Sequence, residues 1–110
     1  MEIVSKEYKR VAVLTVKGRI DSANAAQFEE QLSQLTQAGK NNLVLDLSGV
    51  QFISSAGLRV LVTVRKAVKS AGGDIRLASP SEQVIETLKI AGLDVLFEQF
   101  ADRESAIASF

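Results

Sequence analysis

The stretch LVLDLSGVQFISSAGLRVL, Leu43 to Leu61, changes its hydrophobic period partway along. Leu43 to Leu47 is short and almost wholly apolar, the pattern of a strand covered on both faces and therefore central in its sheet. From Gly57 onward the period lengthens. Gly57, Val60, Leu61, Val64, Val68 and Ala71 recur at helical spacing, and the segment ends at Gly72-Gly73. VLVTV within it is β-branched enough for a strand, but Arg59, Lys66 and Lys69 fall outside the apolar stripe and strict alternation fails, so a helix is predicted. Two serines, Ser54 and Ser55, stand at the junction.

The flanks extend this strand-to-helix alternation. Upstream, EIVSKEYKRVAVLTVKG carries β-branched residues on both sides of a charged YKR turn and predicts an antiparallel hairpin. After GRID, Ala25, Phe28, Leu32 and Leu35 mark an amphipathic helix, with Asp21 or Ser22 as its expected cap and Gly39 as its stop. Downstream, DIRLA, Asp74 to Ala78, alternates as a strand. SPSE then reads as Ser79 at the N-cap, Pro80 at the first helical position and Glu82 closing a capping box. That helix turns Val84, Ile85 and Leu88 inward and stops at Gly92, after which a short FEQF strand and a helix over 102–110 complete the chain. The order implies one α/β domain over residues 1–110, with a mixed sheet, an initial β-hairpin and about four α-helices.

Composition narrows the chemistry. The 110 residues are 46% apolar and 24% charged, as in folded globular chains. Lysine plus arginine equals aspartate plus glutamate at 13 each, so no net field favours nucleic acid or an anionic membrane, and neither is an expected partner. Without cysteine or histidine the chain lacks the soft zinc ligands, thiolate chemistry and the usual neutral-pH base, so neither a metal nor an enzymatic role is expected. MEIVSKEYKR mixes charge into its first ten residues, and no uncharged run approaches the ~18 residues of a membrane span. A cytoplasmic protein is expected.

No motif supplies catalysis in place of histidine. Neither GxGxxG nor GxxxxGKS is present, and no cofactor is implied. SSAGL is not a GxSxG nucleophile elbow, because Ile53 stands where the first glycine belongs. Asp21 and Asp46 form a conceivable carboxylate pair, each with a plainer explanation as a helix cap and a strand-end polar residue. The serines remain. One of them suffices to cap a helix, worth about 1 kcal/mol, and the second is left over. On a helical wheel Leu58 and Val62 fall outside the main stripe, on an arc shared with Arg65 and Lys69. An apolar pair beside two cations fits a small partner-binding surface; cover by a neighbouring loop or the last helix is the alternative.

These residues resemble a known family. LVLDLSGVQFISSAGLRVL is similar to the signature of STAS domains of the bacterial anti-sigma factor antagonist class: an apolar strand, D-L-S-x-V, an aromatic-aliphatic pair, then D-S-[ST]-G-L. GRID matches the family's G-[DE]-[LI]-D before its first helix. The resemblance implies a non-catalytic partner switch. Unphosphorylated, such a protein binds an anti-sigma factor that is also a serine kinase; phosphorylation ends the contact and a serine phosphatase restores it. Residue by residue, the acceptor falls on Ser55, with Ser54 as the fallback; the family's preceding acid falls on Ser54, its second hydroxyl on Ala56, and the GRID acid is Asp21. Partner contacts are expected from Asp21, Ser54, Ser55, Gly57, Leu58, Val62 and Arg65, on a protein that is monomeric when free. Two other functions compete: a constitutive STAS scaffold in a signalling or lipid-transport complex, with the serines acting only as caps, and nucleotide binding by the loops near Asp21 and Ser55.

Overall fold

A computed structural model describes all residues from Met1 to Phe110. The chain runs β1 (Glu2–Glu7), β2 (Ala12–Ile20), α1 (Ala25–Gln37), β3 (Asn42–Ile53), α2 (Ser55–Ser70), β4 (Asp74–Ala78), α3 (Glu82–Ile90), β5 (Gln99–Phe100) and α4 (Arg103–Ala108). The five strands lie in sequence order, β1 antiparallel to β2 and every later pair parallel. The predicted mixed sheet with its opening hairpin is what the structure contains, and β3 is its central strand.

Period-two alternation sorts the sheet into two faces. Ala12, Leu14 and Val16 of β2, Leu43, Leu45 and Leu47 of β3, and Ile75 and Leu77 of β4 pack with Phe28, Leu32, Leu61, Val64, Val84 and Leu88 from α1, α2 and α3. The intervening Val11, Val13, Val44 and Ala78 meet Ala106 of α4 on the other side. Three helices thus cover one face and a single short helix part of the other.

Five local expectations are corrected. β3 continues to Ile53 instead of ending at Leu47, because β2 and β3 stay paired beyond Ser48 through register shifts at Thr15/Lys17 and Gly18/Arg19. A Cβ on Gly49 would lie 2.9 Å from Lys17 Cγ, so a glycine allows the close approach at the first shift. α1 is entered through Asn24, not Asp21 or Ser22, and Asn24 makes no side-chain cap bond. α3 is capped by Ser81, whose Oγ accepts from Val84 N at 3.2 Å, not by Ser79. Ser79 N instead donates to Phe100 O at 2.8 Å, which ties it to the sheet edge at φ 53° and delays the helix until Glu82. Finally, Ile85 is only half-buried, and Ala71 is the exposed C-cap of α2, not part of its buried stripe.

Candidate functional site

Parallel pairing of β2 and β3 brings the two sequence motifs together. Ile20 is in register with Ile53, and Ser54 N donates to Ile20 O at 2.8 Å, so Asp21 and Ser54 follow side by side at the carboxyl ends of adjacent strands. Asp21 shapes the turn into α1. Its Oδ1 accepts from Ala23 N at 3.0 Å and Asn24 N at 3.2 Å, while its own N–H donates to Asn24 Oδ1 at 2.9 Å. Asn24 Nδ2 donates back to Arg19 O at 2.9 Å, which closes the loop on itself.

The serine pair divides its work as the count of one cap and two hydroxyls suggested. Ser54 takes an extended conformation at φ −81°, ψ 170°, and its Oγ accepts from Gly57 N at 3.2 Å. Ser55 is the first residue of α2; it is exposed, and its hydroxyl is free of any hydrogen bond to the protein. Gly57 is buried against the strand ends: a Cβ there would stand 2.7 Å from Ile20 Cγ2 and 2.8 Å from Ile53 Cγ1. The absence of a side chain lets the helix start rest on both motifs at once.

The apolar arc predicted on α2 is largely closed. Leu58 is 7% exposed and belongs to the core, and Val62 is half-buried. Arg65 is also half-buried, with its Nε unpaired, and Lys69 meets Asp74 at 3.6 Å. The open surface beside Ser55 lies on the opposite flank, in a groove of about 210 Å³ between α1 and α2 lined by Ala25, Ala26, Glu29, Ala56, Arg59, Val60 and Thr63. Sequence reasoning missed this groove. Its signals were alanines at corresponding levels of two helices and an arginine four residues after Ser55.

Asp21 and Asp46 do not pair. Asp46 lies in the middle of β3 on the face under α4, where its Oδ2 accepts from Arg103 Nη2 at 2.7 Å and Nε at 3.0 Å and its Oδ1 accepts from Ser48 N at 3.0 Å. Arg103 Nη2 also donates to Thr15 Oγ1 at 2.7 Å. Burial alone would push the Asp46 carboxyl up, but the bonds from Ser48 and Arg103 outweigh it and hold the group below the ordinary carboxylate value. This is a structural ion pair that fastens α4 to the sheet. No group of three or more histidine, cysteine, aspartate or glutamate residues could hold a metal ion, and no helix is long and apolar enough to cross a membrane.

A small mixed α/β domain with a capped helix start at the carboxyl ends of its central strands is the arrangement of STAS domains. The chain belongs to the STAS domain family, whose sequence profile matches residues 2–106. It is 33% identical to BtrV of Bordetella bronchiseptica over 110 residues, covering 100% of this chain and 95% of the relative. Against the anti-sigma-B factor antagonist of Bacillus subtilis the identity is 32% over 94 residues, covering 86% and 85%. The crystal structure of a Thermotoga maritima protein classed with the anti-sigma factor antagonists superposes with a TM-score of 0.91 at 28% identity, over 97% of this chain and 92% of that one.

Proposed function

We propose that the protein is an anti-sigma factor antagonist that binds an anti-sigma factor with serine-kinase activity when unmodified and releases it when phosphorylated on Ser55. The names of its relatives supply the partner class. The observation that carries the switch is the division of the serines: Ser54 holds the helix cap, which leaves Ser55 exposed with its hydroxyl unbonded. In the modification Ser55 Oγ bonds to the γ-phosphorus of ATP, the bond to the departing ADP breaks, and the hydroxyl proton passes to the kinase. Asp21, Ser54, Ser55 and the rim of the α1–α2 groove form the contact surface. Gly57 and Leu58 support it from beneath, and Val62 and Arg65 border it.

A phosphate adds about −1.5 to −2 charges, and the free N–H groups of a helix start tolerate them, so the fold stays intact. The partner does not. Desolvating the anion or opposing it with like charge costs several kcal/mol, and about 3 kcal/mol corresponds to more than a hundredfold in affinity. Incubation with the cognate kinase and ATP followed by mass mapping tests this, with phosphate expected on Ser55. Its absence from both Ser55 and Ser54 would refute the switch. Ser55→Ala should bind constitutively and Ser55→Asp more weakly; undiminished binding by Ser55→Asp would favour a constitutive scaffold in which both serines serve the helix start. The Ser54 position carries no acid, so the cap residue itself adds no negative charge beside an incoming phosphate.

A further inference from the structure

Ser55 and Arg59 lie one turn apart on α2, the i, i+4 spacing that brings side chains to the same face with Cβ atoms about 5–6 Å apart. Arg59 is exposed and takes part in none of the protein's ion pairs or side-chain hydrogen bonds. The remaining α2 cations start farther away. At 1.5 Å rise per residue, Arg65 and Lys66 begin about 15 and 16 Å along the axis from Ser55, and Lys69 is occupied by Asp74. Arg19, at the end of β2, is stacked on the Phe52 ring at 4.3 Å. Neither the cap residue Ser54 nor the first turn of α2 is acidic, so no carboxylate there competes for the guanidinium. Across the groove Glu29 shares the lining with Arg59 without reaching ion-pair distance.

We propose that Arg59 is the internal counter-ion of the switch: once Ser55 carries a phosphate, the Arg59 guanidinium swings onto it in an intrahelical ion pair and leaves the α1–α2 groove. The inference rests on Ser55 as the acceptor. A planar guanidinium matches two phosphate oxygens with parallel N–H bonds, a geometry that lysine lacks. Modification then changes two features of the contact surface together. A bulky anion appears at the helix start, and the groove loses its cation while Glu29 stays in its lining. Arg59 is a positioning residue here; the phosphate's bulk and charge remain the primary signal.

The test installs phosphoserine at position 55 by genetic code expansion, so that no kinase is required, and follows the phosphate by phosphorus NMR as a function of pH. The second ionisation of phosphoserine lies near 6. The Arg59 pair should lower it by about 0.2–0.4 units, the free energy of an exposed i, i+4 ion pair converted to pKa. Arg59→Gln should raise it back by that amount, Arg59→Lys should keep part of the shift, and Lys66→Gln should leave it in place. The helix start acts equally on all four proteins and cancels in the comparison. A titration of Arg59→Gln that superimposes on that of the unsubstituted protein overturns the proposal. Failure of the kinase to modify Ser55 would refute the switch alone and would leave this titration as it stands.

Discussion

Replacing Gly57 with alanine sets two physical effects against each other at the start of α2. Intrinsic propensity favours alanine over glycine in a helix by about 1 kcal/mol. The added Cβ, however, would arrive 2.7 Å from Ile20 Cγ2 and 2.8 Å from Ile53 Cγ1, distances that real contacts of this kind do not reach. Ile20 is fully buried and Ile53 is 3% exposed, and both are β-branched with restricted χ1, so neither can yield by a simple rotation. Overpacking of this kind costs about 1–3 kcal/mol, and with two rigid contacts the upper half of that range applies. The net expectation is a destabilisation of about 1–2 kcal/mol, read as a melting point about 5–10 °C lower or a urea midpoint lower by about 0.5–1 M. Relief of the clash should also lift the first turn of α2 from the strands, visible as amide shift changes at Ser54 to Leu58. If Gly57→Ala is as stable as the unsubstituted protein, the close approach of α2 to the two motifs is not a constraint and the reasoning fails.

Three further substitutions, at two positions, separate cap, charge and ion pair. Ser54→Ala removes the bond to Gly57 N and should cost about 0.5–2 kcal/mol in urea unfolding, whereas Ser54→Asp keeps a capping oxygen and should stay within a few tenths of the parent. Asp46 is held below the carboxylate value of 3.8, so its contribution is complete above that unfolded value and is lost as pH falls through the depressed folded value. Asp46→Asn should therefore flatten the acid limb of a plot of melting temperature against pH. At neutral pH it should cost about 1–3 kcal/mol, because Arg103 loses a charged acceptor. An unchanged acid limb would assign the protein's acid sensitivity to other carboxylates.

Element types were legible because the periods are strong: alternation in DIRLA and the three- and four-residue recurrence of Phe28, Leu32 and Leu35 have one plausible outcome each. Boundaries were less so. Ser48-Gly49 carries turn chemistry, but a neighbouring strand with matched bulges absorbs it, and nothing local to β3 announces the partner's register. Ser79 and Ser81 both offer plausible caps; the choice is made by a hydrogen bond to Phe100, about twenty residues away in sequence. The same limit governed the site. Asp21 and the serines could be named from motifs, but Leu58 could not be placed inside from the wheel of α2 alone, because its burial depends on what the rest of the fold packs against that arc. Arg59 was legible only as a charge off the apolar stripe, and Glu29 not at all, because a groove belongs to two helices, and each helix read singly shows only an ordinary polar residue.

The anchoring of α2 bears on how a phosphate would act. A helix start free to move could relieve an unfavourable anion by fraying or shifting, and the partner would then meet a blurred surface. Here the first turn is fixed on three sides: Ser54 N to Ile20 O, Gly57 seated on Ile20 and Ile53, and Leu58 buried in the core. Release of the turn would expose Leu58, a loss of about 1.5–3 kcal/mol, together with the cap bond of about 1 kcal/mol. That cost is comparable to the penalty the phosphate imposes on a docked partner, and dissociation avoids it altogether. On the proposed switch, a phosphate on Ser55 would therefore be expressed at the interface and not in the fold: the amide shifts of β2 and β3 should remain in place when Ser55 is phosphorylated, while affinity for an anti-sigma factor should fall.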